Sequence, residues 1–269
     1  MSDIDPIRRH NVHVIGNPDA ATTPVFVHGF GTEQTAWRVV AAAFLANYRV
    51  VLLDNVGAGG PDPAAFAQYR QLELRRYASD LVEVCMALAL EHRVLIGHSM
   101  GAMICALATL ERPGLATKLV FIGASPRYID TDDCHGGFTR SDVDAIYSDV
   151  TSRYSAWADV FAAASMAHAD RPALSTDFAH SIKAIPKDRA LTVLCSIFQS
   201  DHREEIARLE VPTLLIQAKD DIAVPQAVAE NLERHIRGSQ LVTIDAEGHL
   251  PHVSAPAIVV AAMEPFVST

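Results

Sequence analysis

The chain has 269 residues, 49% of them hydrophobic, and a formal net charge of −10 at pH 7. That length and apolar content suffice for a large buried core and exclude a disordered chain. The acidic balance disfavours nucleic acid and anionic membrane surfaces, which attract clustered Lys and Arg, so a small-molecule function is expected.

Taken in chain order, the opening MSDIDPIRRH carries acidic residues where a secretory signal needs a basic patch ahead of an apolar run. With no uncharged apolar run near membrane-spanning length, a cytoplasmic protein is expected. The runs NVHVIG, PVFVHG, YRVVLLD, HRVLIGHS, KLVFIGAS, PTLLIQAKD and SQLVTIDAEG then predict seven strands. The middle ones are apolar on both faces, as in a buried parallel sheet. Helices are predicted over 34–45, 71–90, 100–111, 226–236 and 256–266, the fourth bounded by Pro225 and Gly238. The alternation breaks between Ser125 and Pro212, where SDVDAIYSDVTSRYSAWADVFAAASM and DRALTVLCSIFQ carry helical periodicity and no strand is predicted. Without a linker-like or low-complexity run, this insertion reads as a cap rather than an independent domain. The fold class is therefore α/β: a mostly parallel central sheet flanked by helices, with a helical cap inserted over the carboxyl ends of the strands. The core spans 1–134 and 201–269 and the cap 135–200. Cys85, Cys105, Cys134 and Cys195 form no C-x-x-C pair, so neither a zinc knuckle nor a redox couple is indicated, and reduced, mostly buried thiols are expected.

Open α/β sheets bind ligands at the carboxyl ends of their strands, and the chemistry-bearing motifs fall there. Gly97, His98, Ser99, Met100 and Gly101 spell G-x-S-x-G, a sharp strand-to-helix turn whose central serine is strained at positive φ. A Cβ two residues before or after that serine is expected to collide with the other arm of the turn. VHGFG at 27–31 follows the second strand, so the Phe30 N–H can point at a developing oxyanion. Blandly read, it is a glycine turn. The second donor is the Met100 N–H, at the positive end of the helix after the serine. QAKDDIAVP ends a strand in Asp220 and Asp221, and AEGHLPH supplies His249 just after the last strand. Ser99, Asp221, His249 is the chain order of the α/β-hydrolase triad. Adjacent side chains leaving a strand diverge, so only one of the two aspartates can face His249. His98 is expected to point away across the elbow, as a packing residue or one that supports the site from behind rather than as the base, and His252 is the weaker rival for the base.

With these motifs in view, HGFGTEQTAW, VVLLDNVGAG, GHSMGAM, IGASPRYI with the following GGF, IFQSDHRE and DDIAVP…EGHLPHVSAP resemble the RsbQ-type α/β-hydrolases, bacterial stress-response regulators and plant karrikin and strigolactone receptors. The resemblance spans nearly the whole chain. It implies a triad of Ser99, Asp221 and His249, with Asp221 chosen because it lies four residues before Pro225. It implies an oxyanion hole from Phe30 and Met100, and a four-helix cap over about 135–200. The family's aromatic pocket positions are matched by Phe30, Tyr128, Phe138, Trp157, Phe161 and Phe198. Gly101 stands where the karrikin receptors tolerate serine, which brings the chain nearer the bacterial members.

Independently of the family, Trp157 and Phe161 lie four apart on one helix face, and ordinary packing between cap and sheet explains any one aromatic. As a group they predict an apolar cavity suited to a small neutral ester, lactone or enol ether. No Lys or Arg in the motif segments offers a carboxylate clamp, which disfavours an anionic substrate. The expected chemistry is acyl transfer through an acyl-enzyme, with no metal or organic cofactor. Two alternatives keep the same triad. One is a receptor that binds a small apolar signal and engages a signalling protein through its cap; the other is a carbon–carbon bond hydrolase.

Overall fold

The computed structural model describes residues 5–58, 65–132 and 135–269. Cys134 lies outside the described residues. Seven strands form one sheet: β1 His13–Gly16, β2 Thr23–Val27, β3 Arg49–Leu53, β4 Arg93–His98, β5 Lys118–Ile122, β6 Thr213–Asp220 and β7 Gln240–Glu247. Their order is β1-β3-β2-β4-β5-β6-β7. All neighbours are parallel except β1, which pairs antiparallel with β3 through His13 opposite Leu52 and Val14 opposite Val51.

The helices are α1 Pro6–Arg9, α2 Arg38–Ala42, α3 Leu74–Ala87, α4 Met100–Glu111, α5 Arg140–Met166, α6 Pro172–Ala184, α7 Lys187–Phe198, α8 Arg203–Ile206, α9 Gln226–His235, α10 Pro251–Ser254 and α11 Pro256–Ser268. A 3-10 turn at Gln34–Trp37 leads into α2.

The two-residue strand period sorts the sheet's side chains into two cores. Val25, Val27, Leu95, Phe121 and Leu215 point to the face covered by α3, α4, α9 and the inserted helices. Phe26, Val94, Ile96, Val120, Ile122, Leu214 and Ile216 point to the opposite face, against Trp37, Val40, Val259 and Met263 of the 3-10 turn, α2 and α11. Because both faces are covered, the central strands read as continuous apolar runs rather than alternating ones.

Between β5 and β6 the regular elements among the described residues are helices, and the preceding loop carries an isolated bridge joining Ile129 and Phe138. The first inserted helix, α5, starts at a capping box: the Asp142 N–H donates to Thr139 Oγ1 at 3.2 Å while Asp142 Oδ2 accepts the Thr139 N–H at 2.8 Å. It then breaks at Arg153 (φ −143°, ψ 46°). Just before the break, the hydroxyls of Thr151 and Ser152 donate to the carbonyls of Tyr147 and Ser148, the back-bonding that bends helices. The Thr151 carbonyl is meanwhile taken by Lys187 Nζ at 3.0 Å. The insertion therefore contains four helical segments.

The elbow glycines are tested by what a side chain would meet. A Cβ on Gly97 would lie 2.4 Å from the Gly101 carbonyl oxygen and 2.5 Å from the Ala102 backbone, so β4 and α4 approach as the sequence predicts. A Cβ on Gly101 would lie 2.3 Å from the Val27 carbonyl oxygen and 2.7 Å from that of His28. Its obstacle is thus the neighbouring strand β2, not the other arm of the turn, which corrects the sequence expectation. Gly97→Ala is expected to cost on the order of 3 kcal/mol or more of stability, because fixed backbone must move to admit the methyl group. Urea unfolding checks this; a midpoint equal to wild type would show that the elbow relaxes freely.

Candidate active site

Ser99 joins β4 to α4 at φ 54°, ψ −123°. A non-glycine residue in such a conformation costs on the order of 1–3 kcal/mol and is held only by its surroundings. Here the Ser99 N–H donates to the Ile122 carbonyl at 2.9 Å, extending the β4–β5 ladder one residue past the strand while the side chain turns out of the sheet.

Asp221 follows the last residue of β6, and His249 lies in the turn between β7 and α10. The structure brings both to Ser99. His249 Nε2 is 2.9 Å from Ser99 Oγ, and His249 Nδ1 is 2.8 Å from Asp221 Oδ2 and 3.0 Å from Oδ1. Asp221 is itself held, since its Oδ1 accepts the N–H groups of Ala223 at 2.8 Å and Val224 at 3.0 Å. Contact with the carboxylate puts the His249 proton on Nδ1 and leaves the Nε2 lone pair facing the serine hydroxyl. Asp220 is exposed and contributes only its carbonyl, which accepts the Gly248 N–H at 2.7 Å.

Phe30 lines the space above Ser99, and Met100 directly follows the serine. Met100 is the first residue of α4, so its N–H is one of the helix's unpaired amides. The Phe30 N–H has no backbone or side-chain acceptor among the described residues.

The family pattern gives Tyr128 only as a ring of the pocket wall. Its hydroxyl is 3.2 Å from Ser99 Oγ. With the serine proton directed at His249, the phenol donates to Oγ, and burial raises the Tyr128 pKa so that the proton stays in place. The loop carrying it is pinned: Phe138 N–H donates to the Tyr128 carbonyl at 3.1 Å, and Asp130 Oδ1 accepts Gly136 N–H at 2.8 Å and Gly137 N–H at 2.9 Å.

Above the serine lies a small cavity of about 50 Å³ whose walls include Phe30, Tyr128, Phe138, Trp157, Phe161 and Phe198, the six aromatics singled out in the sequence. One wall is built on Trp157 and Phe161, stacked with centroids 5.0 Å apart, with Phe30 against both. The other is Phe198 edge-on to Phe138 at 5.2 Å and to Tyr128 at 6.3 Å. The sequence reading missed Phe178 on α6, along with Ile146, Leu194, Ile197, Ala223 and Leu250. No helix is predicted over α6; Phe178 and Ile182 lie one helical turn apart there, which signals a buried face and carries no chemistry. No Lys, Arg, Asp or Glu lines the cavity among the described residues.

His252 does not approach the serine. It lies behind the base, fully buried, with its ring 4.3 Å from that of His98 and 4.4 Å from that of Trp37. Burial, together with the neighbouring His249 and His28, pushes its pKa down to about 3, so it is neutral across the physiological range.

Among the described residues no helix is long and apolar enough to cross a membrane. A model of the alpha/beta hydrolase fold matches residues 25–256. The chain is 38% identical over 258 residues to the strigolactone esterase D14 of Arabidopsis thaliana, covering 96% of both proteins. It is 37% identical over 252 residues to the karrikin insensitive 2 receptor CA of Petunia hybrida, covering 93% of both. A solved hydrolase from Oleispira antarctica superposes with a TM-score of 0.95 at 27% identity, over 98% of this chain and 97% of that one. A mostly parallel sheet whose fourth strand turns into a helix at a serine elbow, with a family model matched over residues 25–256, makes this chain a member of the alpha/beta hydrolase family.

Proposed function

We propose that the protein is a serine hydrolase acting on a small, neutral, apolar ester, lactone or enol-ether-like substrate. The observation that carries the reading is the hydrogen bond of Ser99 Oγ to His249 Nε2 at the floor of an aromatic cavity. Ser99 Oγ attacks the substrate carbonyl carbon and its proton passes to His249 Nε2, while Asp221 stabilises the imidazolium. The Phe30 and Met100 N–H groups receive the oxyanion. Collapse of the tetrahedral intermediate breaks the bond to the leaving oxygen, which takes the proton from His249. Water then attacks the acyl-Ser99 by the same route and releases the acid. In this reading residues 135–200 form a cap over a core of 1–134 and 201–269, and the protein works in the cytoplasm.

The absence of a charged lining residue among those described argues for neutral substrates, since a buried carboxylate would go unpaired. A neutral short-chain aryl ester is expected to be turned over at least about tenfold faster, by kcat/KM, than its carboxylate-bearing analogue. Steady-state hydrolysis of the pair tests this, and the reverse preference would overturn the substrate class.

A receptor reading is favoured by one contact: the His249 N–H donates at 2.7 Å to the carbonyl of Ser165, in the last turn of α5. A ligand that shifts the inserted helices therefore shifts the base. In this reading the protein is RsbQ-like, turns its signal over slowly, and offers its cap to a signalling partner. Trp157→Ala is expected to raise KM about tenfold or more while leaving kcat for an activated aryl ester within about threefold. The same kinetics, run beside proteolysis across 135–200 with and without ligand, check it. Unchanged KM with a destabilised insertion would make Trp157 core and nothing more.

A further inference from the structure

His249 has four hydrogen-bonding groups, and each is engaged. Its ring nitrogens meet Asp221 and Ser99, its N–H donates to Ser165, and its carbonyl oxygen lies 2.7 Å from His98 Nε2. A carbonyl only accepts, so His98 carries its proton on Nε2 and donates it there. His98 is the last residue of β4, directly before Ser99. The two consecutive side chains at the elbow thus grip one residue: Ser99 the histidine's ring, His98 its backbone.

The orientation of His98 is set by packing. Its ring lies 4.8 Å from that of His249 on one side and 4.3 Å from that of His252 on the other, with Trp37 behind His252. His98 Nδ1 and both nitrogens of His252 are buried and have no hydrogen-bond partner among the described residues. Nothing polar therefore competes for the His98 ring except the His249 carbonyl. Burial holds His98 neutral, its pKa well below the ordinary value. A second cation at this spot would oppose the imidazolium that His249 becomes during turnover.

We propose that His98 is a positioning residue, which fixes the backbone of His249 and thereby the alignment of the base with Ser99. The proposal rests on the reading of Ser99 and His249 as nucleophile and base. Its physical basis is that a misplacement of about 1 Å at the reacting groups costs on the order of 100-fold in rate. A filler role makes a different demand, since any side chain of similar volume would then serve between the sheet and α10.

The test compares His98→Gln, which keeps an N–H donor at similar reach, with His98→Met, which keeps bulk and loses the donor. The readouts are aryl-ester kinetics and the rate of covalent modification of Ser99 by a neutral fluorophosphonate. His98→Met is expected to lower kcat and the modification rate together by about 10- to 100-fold with KM within about twofold, and His98→Gln to restore both to within about threefold of wild type. Should His98→Met fail to fold, His98→Asn serves in its place: its shorter amide stops short of the carbonyl, and the same loss is expected. Equal rates in the donor and non-donor variants overturn the proposal, whether both are fast or both are slow. A wild type inert toward ester and fluorophosphonate alike overturns the reading of the site, and this proposal with it.

Discussion

Ser99→Ala and His249→Ala are each expected to lower kcat for ester hydrolysis by on the order of 10⁴ or more, and the double variant to lose little beyond the worse single one. The non-additivity follows from geometry. The serine proton has His249 Nε2 at 2.9 Å to receive it, and without either partner the attack on the carbonyl has no route. The Tyr128 hydroxyl at 3.2 Å does not substitute, because a phenol whose pKa is raised by burial is a donor and not a base. Both variants should fold. Removing a hydroxyl from Ser99 opens no cavity of consequence, and the His249 ring borders space that is already open. Steady-state kinetics on protein of matched circular dichroism check the result. Activity within about tenfold of wild type in either single variant would remove that residue from the chemistry.

Asp221→Asn is expected to lower kcat by about 10³- to 10⁴-fold, and Asp220→Asn by no more than about threefold. The Asp221 carboxylate is clamped by the Ala223 and Val224 N–H groups through Oδ1, so an asparagine there keeps its carbonyl oxygen on those donors. Its amide NH₂ then faces His249 Nδ1. Two donors cannot share that contact, so the ring is driven to the tautomer with its proton on Nε2 and the lone pair turned from Ser99. Asp220 projects an exposed side chain and holds Gly248 through a backbone carbonyl that the substitution leaves intact. Kinetics of the two variants side by side decide the matter, and the reverse ranking would overturn the choice of acid.

The expectation that Asp221 rather than Asp220 meets His249 comes from the family pattern, which sets that acid four residues before Pro225, since the divergence of adjacent side chains leaving a strand says only that one of the two can do so. The seven strands were legible for a physical reason: buried parallel strands have no polar face, and their apolar runs stand out between glycines and aspartates. The direction of β1 was not, since residue alternation is the same in either orientation. The break in α5 went unread because it depends on where two hydroxyls and the Lys187 ammonium send their hydrogen bonds. Tyr128 was read as a ring because ring positions follow from the family pattern, whereas the reach of its hydroxyl to Ser99 depends on a loop folded over Asp130. For His98 the elbow leaves packing and support of the site equally open, and the contact that separates them is with His249. The His98 bond to the His249 carbonyl joins residues 151 positions apart and has no local trace.

Attack by Ser99 on a carbonyl whose oxygen is received by two backbone amides is checked by a crystal structure of the protein treated with a small neutral fluorophosphonate. Phosphorus is expected on Ser99 Oγ, with a phosphonyl oxygen about 2.7–3.1 Å from both the Phe30 and Met100 nitrogens. An adduct on another residue, or one on Ser99 with that oxygen turned away from both amides, would contradict it.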